Sequence, residues 1–243
     1  MSIGARNNDV RIIEISSQMQ KIKKILTIVL AIPRTIYFNL RYLPLGQAVR
    51  LPIWLANNTR IRNMYRGGMV IDAPVRPAMI RIGFHQVDAI CVYSLKTILN
   101  VNKPGRIVFR GEAHIGHGAI LSCMGGQMLL GDNFAVSGNT SFVCYKQITV
   151  GRDVQFAWDS LVMDSDAHKI YDEQGRYMNE DKLITIGDKV WLACQCTLLK
   201  GTEIGSNCVV GANSLLNKKY TEDNVIIAGS PARVVKKISG WEL

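Results

Sequence analysis

An all-β solenoid, a parallel β-helix, is the fold this sequence predicts, and three observations carry the prediction. Apolar residues fall at Ile186, Leu192, Leu198, Ile204, Val210 and Leu216, a strict spacing of six. Two places before each of the last five stands a generally smaller residue: Val190, Cys196, Thr202, Cys208 and Ser214. Glycine follows the apolar position at 187, 205 and 211. A period of six is neither the 3.6 of a helix nor the simple alternation of an extended strand. It belongs to short strands joined by tight turns, coiled so that every sixth residue returns to the same place on a narrow prism.

Taken in order, the elements are these. Residues 10–32, VRIIEISSQMQKIKKILTIVLAI, repeat apolar residues three and four apart with QKIKK on the other side, which predicts a helix ending at Pro33. Residues 34–66 alternate bulky apolar and basic residues around Pro44 and Pro52, a pattern of extended segments and turns. The sixfold rhythm starts near residue 104 and runs less regularly through His114-Ile115-Gly116, Leu130-Gly131-Asp132-Asn133 and Val150-Gly151, its frame slipping between 115 and 130 and between 142 and 150. Residues 169–183, KIYDEQGRYMNEDKL, have no such rhythm and are polar, so they predict a loop swinging out from one corner, where repeat folds commonly build a binding face. After a turn at 221–224 comes the short strand VIIAG, and Ser230-Pro231 then opens a predicted helix carrying Arg233, Lys236 and Lys237. The expected division is a basic helical and extended segment at 1–80, the β-helix at 81–225, and a strand with a helix at 226–243.

Charge is uneven along the chain. The formal net charge is +10; residues 1–81 hold 13 basic and 3 acidic side chains, while the remainder holds 16 of each. A basic N-terminal third on a neutral body points to a docking surface for something anionic, such as a membrane face, a polyanionic substrate or another protein, the alternative being a solvated basic face with no partner. No nucleic-acid-binding module is recognisable in it. The start MSIGARNNDVR is polar, and ILTIVLAIP at 25–33 is too short to span a bilayer and is followed by Arg34, so a cytoplasmic location is expected. There the cysteines at 91, 123, 144, 194, 196 and 208 are reduced thiols, and Cys194 and Cys196 lack the spacing of a zinc or redox pair.

The stretch LVMDSDAHKI, 161–170, brings Asp164, Asp166 and His168 together just before the inserted loop. The three share parity, so a straight strand would project them to one side, although at a corner that alignment fails. As a metal site the cluster is a ligand short, with histidines 85, 114 and 117 several coils away. As a base, His168 offers the residue type best suited to hydroxyl activation, with Asp166 or Asp164 to hold its ring; alternatively Asp164 fixes the turn.

The run ITIGDKVWLACQCTLLKGTEIGSNCVVGANSLLNKKYTEDNVIIAGSPARVVKK resembles the C-terminal half of the hexapeptide-repeat acyltransferases in its IG…VW, GA-x-S and AG-x-PA-R-V elements. The stretch GDNFAVSGNTSFVCYKQITVGRDVQFAWDSLVMDSDAHKI is similar to the branch that O-acetylates sugars of capsules and lipopolysaccharide. The likeness covers roughly residues 80–240. It implies a left-handed β-helix, a homotrimer with sites at the seams between prisms, and acetyl-CoA along the groove, with no metal required. It implies His168 as the catalytic base; of the groups that could hold its ring, Asp166 is the better candidate, with Asp164 and a backbone carbonyl as the alternatives. Trp191, Ala193, Gly211 and Ala212 fall along the pantetheine arm, and Lys218 and Arg233 by the CoA phosphates. Asn139, Tyr145 and Asp164 are the candidate acceptor contacts; the stretch with Ser137, Asn139, Ser141 and Tyr145, where some members place a carboxylate, offers none, and Ala193 stands where many members have glycine.

The reading is thus an acetyl-CoA-dependent O-acetyltransferase acting on a sugar hydroxyl of a nucleotide- or lipid-linked surface-polysaccharide precursor, held near the inner face of the cytoplasmic membrane by its basic segment. N-acetylation of an amino sugar or another small amine, serine acetylation, and a non-catalytic β-helix serving as an assembly subunit are the alternatives.

Overall fold

The computed structural model describes residues 22, 25–84 and 95–242. Among these, strands pair in parallel around a three-sided prism, with nine strands on one face and seven on each of the others. We call them faces one, two and three in the order the chain visits them. Face one runs from Ile53–Leu55 through Trp191–Leu192 to Val225–Gly229, face two from Arg60–Arg62 to Leu215–Leu216, and face three from Met69–Ile71 to Lys219–Tyr220.

The sixfold register is a register of burial. Ile186, Leu192, Leu198, Ile204, Val210 and Leu216 all point into the prism, as do Val190, Cys196, Thr202, Cys208 and Ser214. One long and one small side chain per strand fill the narrow interior at close-packed density. In the middle coils Phe134, Phe142 and Phe156 form an edge-to-face trio with ring centroids 5.0–6.1 Å apart. The frame slips for a geometric reason. Trp191 pairs with Val209 eighteen residues on, whereas Ala135 pairs with Gln155 twenty residues on. Upstream strands such as Phe134–Gly138 and Ser141–Cys144 are longer than Trp191–Leu192 or Glu203–Ile204, so each coil takes up more chain.

Corners are made by residues in the left-handed region, mostly Asn and Asp, whose short polar side chains tolerate it. Between faces three and one they follow a glycine: a Cβ on Gly187 would lie 2.8 Å from the backbone of Gly205 one coil on, so coils stack there only because glycine leaves the space. Aspartates tie successive corners together, as Asp188 accepts from the Arg152 N–H at 2.8 Å and Asp223 from the Ser206 N–H at 2.6 Å.

Three boundaries depart from expectation. The N-terminal helix does not stop at Pro33: residues 25–42 are helical, and the portion of the predicted helix at 10–21, 23 and 24 lies outside the described residues, as do His85 and Cys91. Packing overrides the proline, because Ala31, Thr35, Phe38 and Asn39 seat against the first coil and are buried. The solenoid begins at Ile53, not 81; Arg60, Arg62 and Arg81 occupy outward positions on its first strands, which hides the apolar rhythm. The C-terminal segment is not a helix. Gly229, with φ at +106°, turns the chain back, and Ala232–Lys237 pairs antiparallel with Val225–Gly229, as suits the β-branched Val234 and Val235. No described helix is long and apolar enough to cross a membrane.

Candidate active site

Residues 169–183 leave the prism at the corner between faces two and three, between the strands Leu161–Met163 and Ile184–Ile186. They fold back on themselves as a small hairpin. Tyr171 bridges Tyr177, and Asp172 closes the tip by accepting from the Gln174 and Arg176 N–H groups while pairing with the Arg176 guanidinium at 2.7 Å. Those contacts hold the Asp172 carboxyl below its ordinary range. His168 is exposed at the base of this hairpin.

The three residues that looked like one cluster have separate surroundings. Asp164 is fully buried; its two oxygens accept the N–H groups of Tyr145 at 2.7 Å and Lys146 at 2.9 Å, one coil earlier. It does at this corner what Asp188 and Asp223 do at the other, so it fixes the turn and is not available to an acceptor. Asp166 is exposed and bonded elsewhere: its Oδ2 receives Lys200 Nζ at 2.5 Å and Asn179 Nδ2 at 2.7 Å. Lys200 first, then Asn179, holds the Asp166 carboxyl below the usual carboxylate range. The expected direct bond from Asp166 to the His168 ring is therefore absent among the described residues, because a closer cation claims the carboxylate. Among the described residues no group of three or more His, Cys, Asp or Glu side chains is arranged to hold a metal ion.

A clamp that sequence reasoning missed replaces that bond. Asn179 Nδ2 also donates to the backbone carbonyl of His168 at 2.8 Å, and its Oδ1 accepts from the Ile170 N–H at 2.6 Å. Lys200 Nζ in turn donates to the Asn179 carbonyl at 2.7 Å. One asparagine thus ties both ends of the hairpin to the backbone that carries His168, and Lys200 anchors it to the next coil. Register was the available signal: Met163 pairs with Leu199, which stacks Lys200 on the corner that opens the loop. Because Asp166 stays ionised well below neutral pH, the clamp persists across any ordinary assay range. Asn179→Ala should lower kcat roughly tenfold, in keeping with the cost of a small displacement of a reacting group. KM and the position of the pH profile should stay put; a KM effect alone would mean that the loop only binds.

The remaining candidates fall elsewhere on the prism. Tyr145 lies on the same corner as the loop, one coil below it. Trp191 is 41% exposed on face one, its ring 6.3 Å from Trp241, whose indole N–H donates to the Lys189 carbonyl. Ala193 and Gly211 continue that face, and a Cβ on Gly211 would meet the Ala228 Cβ at 3.0 Å. Ala212 is exposed beside them. Asn139 stands at the corner between faces one and two with φ at +44°, and its Nδ2 donates to Asp159 Oδ1 at 2.6 Å. It is exposed and forms a rung of a corner ladder. Lys218 and Arg233 share one cleft of about 210 Å³ near the C-terminal end of the prism, lined also by Lys219, Tyr220, Thr221, Glu222 and Val234.

Comparison with known proteins fits this geometry. Residues 184–218 match the family described as bacterial transferase hexapeptide (six repeats). The chain is 30% identical over 148 residues to the putative lipopolysaccharide biosynthesis O-acetyl transferase WbbJ of Escherichia coli K12, covering 56% of this chain and 74% of that protein. The chain belongs to the hexapeptide-repeat acyltransferase family. It is 30% identical over 116 residues to the galactoside O-acetyltransferase of the same organism, of which it spans 56%. The crystal structure of NeuO, a polySia-specific acetyltransferase, superposes with a TM-score of 0.59 at 20% identity over 79% of each chain, which establishes a shared fold. The prism is accordingly a left-handed β-helix, and this member is an acetyltransferase.

Proposed function

We propose that the protein is an acetyl-CoA-dependent O-acetyltransferase that acts on a sugar hydroxyl of a surface-polysaccharide precursor, with His168 as its general base. The observation that carries this reading is the placement of His168, exposed at the loop base with its backbone clamped by Asn179. The names of WbbJ and the galactoside O-acetyltransferase point the same way.

The chemistry follows from an alcohol's weakness as a nucleophile. The sugar hydroxyl attacks the thioester carbonyl while His168 takes its proton, so that no free alkoxide forms. The resulting oxyanion requires a positioned donor, for which a backbone N–H of a coil after the loop serves. Collapse expels the CoA thiolate, which recovers the proton from the imidazolium, leaving the sugar ester and CoA thiol. The acyl donor brings its own activated carbonyl, and the side chains above supply proton transfer and orientation.

His168 and the stripe Trp191, Ala193, Gly211 lie on different parts of one prism, which supports a homotrimer in which the loop edge of one copy meets face one of the next. The pantetheine arm then runs along the small residues, and the cleft with Lys218 and Arg233 takes the CoA phosphates, its cations matched to phosphate oxygens. Arg233→Ala should raise KM for acetyl-CoA about tenfold and leave kcat nearly unchanged, the mark of lost ground-state binding; a fall in kcat with KM constant would remove Arg233 from the donor site. Tyr145, at the loop corner, and the exposed Asn139 are the acceptor candidates. A lipid-linked acceptor would lie at the inner face of the cytoplasmic membrane, whose anionic headgroups would attract the basic N-terminal third. The test of the reaction is thiol release from acetyl-CoA with a panel of sugars and amino sugars, followed by mild alkali. An ester is cleaved, and an alkali-stable product would establish N-acetylation instead.

A further inference from the structure

The helix at 25–42 closes the open N-terminal end of the prism. Its inner side satisfies the first strand: Asn39 Nδ2 donates to the Ile53 carbonyl at 2.7 Å, its Oδ1 accepts from the Ile53 N–H at 3.2 Å, and Thr35 Oγ1 accepts from the Leu55 N–H at 3.2 Å. Arg34 donates to the carbonyls of Asn57 and Thr59. These bonds fix which side of the helix faces out. A solenoid cap ordinarily turns a polar outer side to water. This one does the opposite. Ile25, Val29, Ile32, Ile36 and Leu40, spaced four, three, four and four apart, form one stripe opposite Phe38, each between 39% and 62% exposed. At 1.5 Å per residue the stripe is about 22 Å long. Tyr37, 61% exposed, flanks it.

The charge around the stripe identifies its occupant. From Ile15 to Ile71 the chain has no Asp or Glu and nine Lys or Arg, with Lys21, Lys23 and Lys24 before the stripe and Arg41 after it. An apolar strip with cations at both ends fits a bilayer surface, which offers acyl chains beneath anionic headgroups in one place. We infer that this helix lies in the plane of an anionic phospholipid surface with the Ile25–Leu40 stripe inserted among the acyl chains, holding the prism on the membrane by its N-terminal end. The inference deepens the placement proposed above and rests on it, but not on the transfer chemistry.

The full chain is mixed with vesicles of phosphatidylcholine, with and without phosphatidylglycerol, in the absence of acetyl-CoA, and sedimented. The wild type should partition onto the phosphatidylglycerol vesicles, less at high salt, and the double variant Ile32→Glu, Ile36→Glu should bind at least about tenfold more weakly. Both positions are exposed, and a circular dichroism melt confirms the fold of the variant. As a second measurement that keeps the apolar face, Tyr37→Trp should shift its emission to the blue on vesicle addition. A wild type left in the supernatant, equal partition by the double variant, or indifference to phosphatidylglycerol would overturn the inference. So would light scattering showing that the stripe joins trimers to one another in solution and that the double variant separates them. Thiol release with a soluble acceptor is read separately and should be unchanged in the double variant, so loss of vesicle binding and loss of catalysis cannot be confused.

Discussion

His168→Ala should release thiol from acetyl-CoA at least about a hundredfold more slowly than the wild type at saturating acceptor, the lower end of what a positioned general base contributes. The substitution is clean because of how the residue is held. Its carbonyl, not its ring, accepts the Asn179 amide at 2.8 Å, so alanine keeps the clamp. The ring is exposed, so its removal opens no cavity and strands no buried partner. A large loss of turnover with an unchanged melting temperature therefore reports proton transfer. Glutamine at 168 keeps polarity and approximate size but cannot take up the proton, and should be as slow as alanine. Turnover within a factor of a few of wild type for either variant would move the base elsewhere on the prism.

The solenoid was legible because one physical constraint repeats. Each coil passes the same narrow interior, so the demand for a long inward residue recurs at Ile186, Leu192 and Leu198 without interruption, and short-range pattern translates directly into fold. The first coils obey the same constraint, but arginines at 60, 62 and 81 on the outward positions break the visible alternation. The terminal elements were decided by tertiary contact. Pro33 argued for a helix end, yet the buried faces of Thr35, Phe38 and Asn39 carry the helix on to residue 42.

The candidate site divides along the same line. His168 was legible, since a polar break in a regular repeat marks a loop and the one titratable ring at its mouth stands out. The aspartates were not separable, because period alone put 164, 166 and 168 on one side, while the corner turns Asp164 into the prism and Asp166 toward Lys200. Lys200 lies thirty-four residues from Asp166 in sequence and one coil away in space, a relation visible only once the loop is removed from the count. Asn179 sits in a stretch with no pattern at all. Its role is set by three hydrogen bonds that no periodicity encodes.

The separation of the two aspartates makes the second large prediction. Asp164→Ala should destabilise the fold by about 3 kcal/mol, because the fully buried carboxylate's two bonds to the Tyr145 and Lys146 N–H groups are lost at a partly buried corner. On a chain of this size that corresponds to a fall of roughly ten degrees in melting temperature. Asp164→Asn keeps an acceptor oxygen and should recover part of the loss. Asp166→Ala removes an exposed carboxylate whose ion pair with Lys200 is partly solvated, so stability should change by no more than about 1 kcal/mol. Its effect should appear instead in kcat, through slackening of the Asn179 clamp. Thermal melts and turnover measured on the same pair of variants should therefore cross, with stability following Asp164 and catalysis following Asp166. If the two substitutions destabilised the protein equally, the corner role of Asp164 would fail. If Asp166→Ala left kcat untouched, the clamp would hold the hairpin without positioning His168.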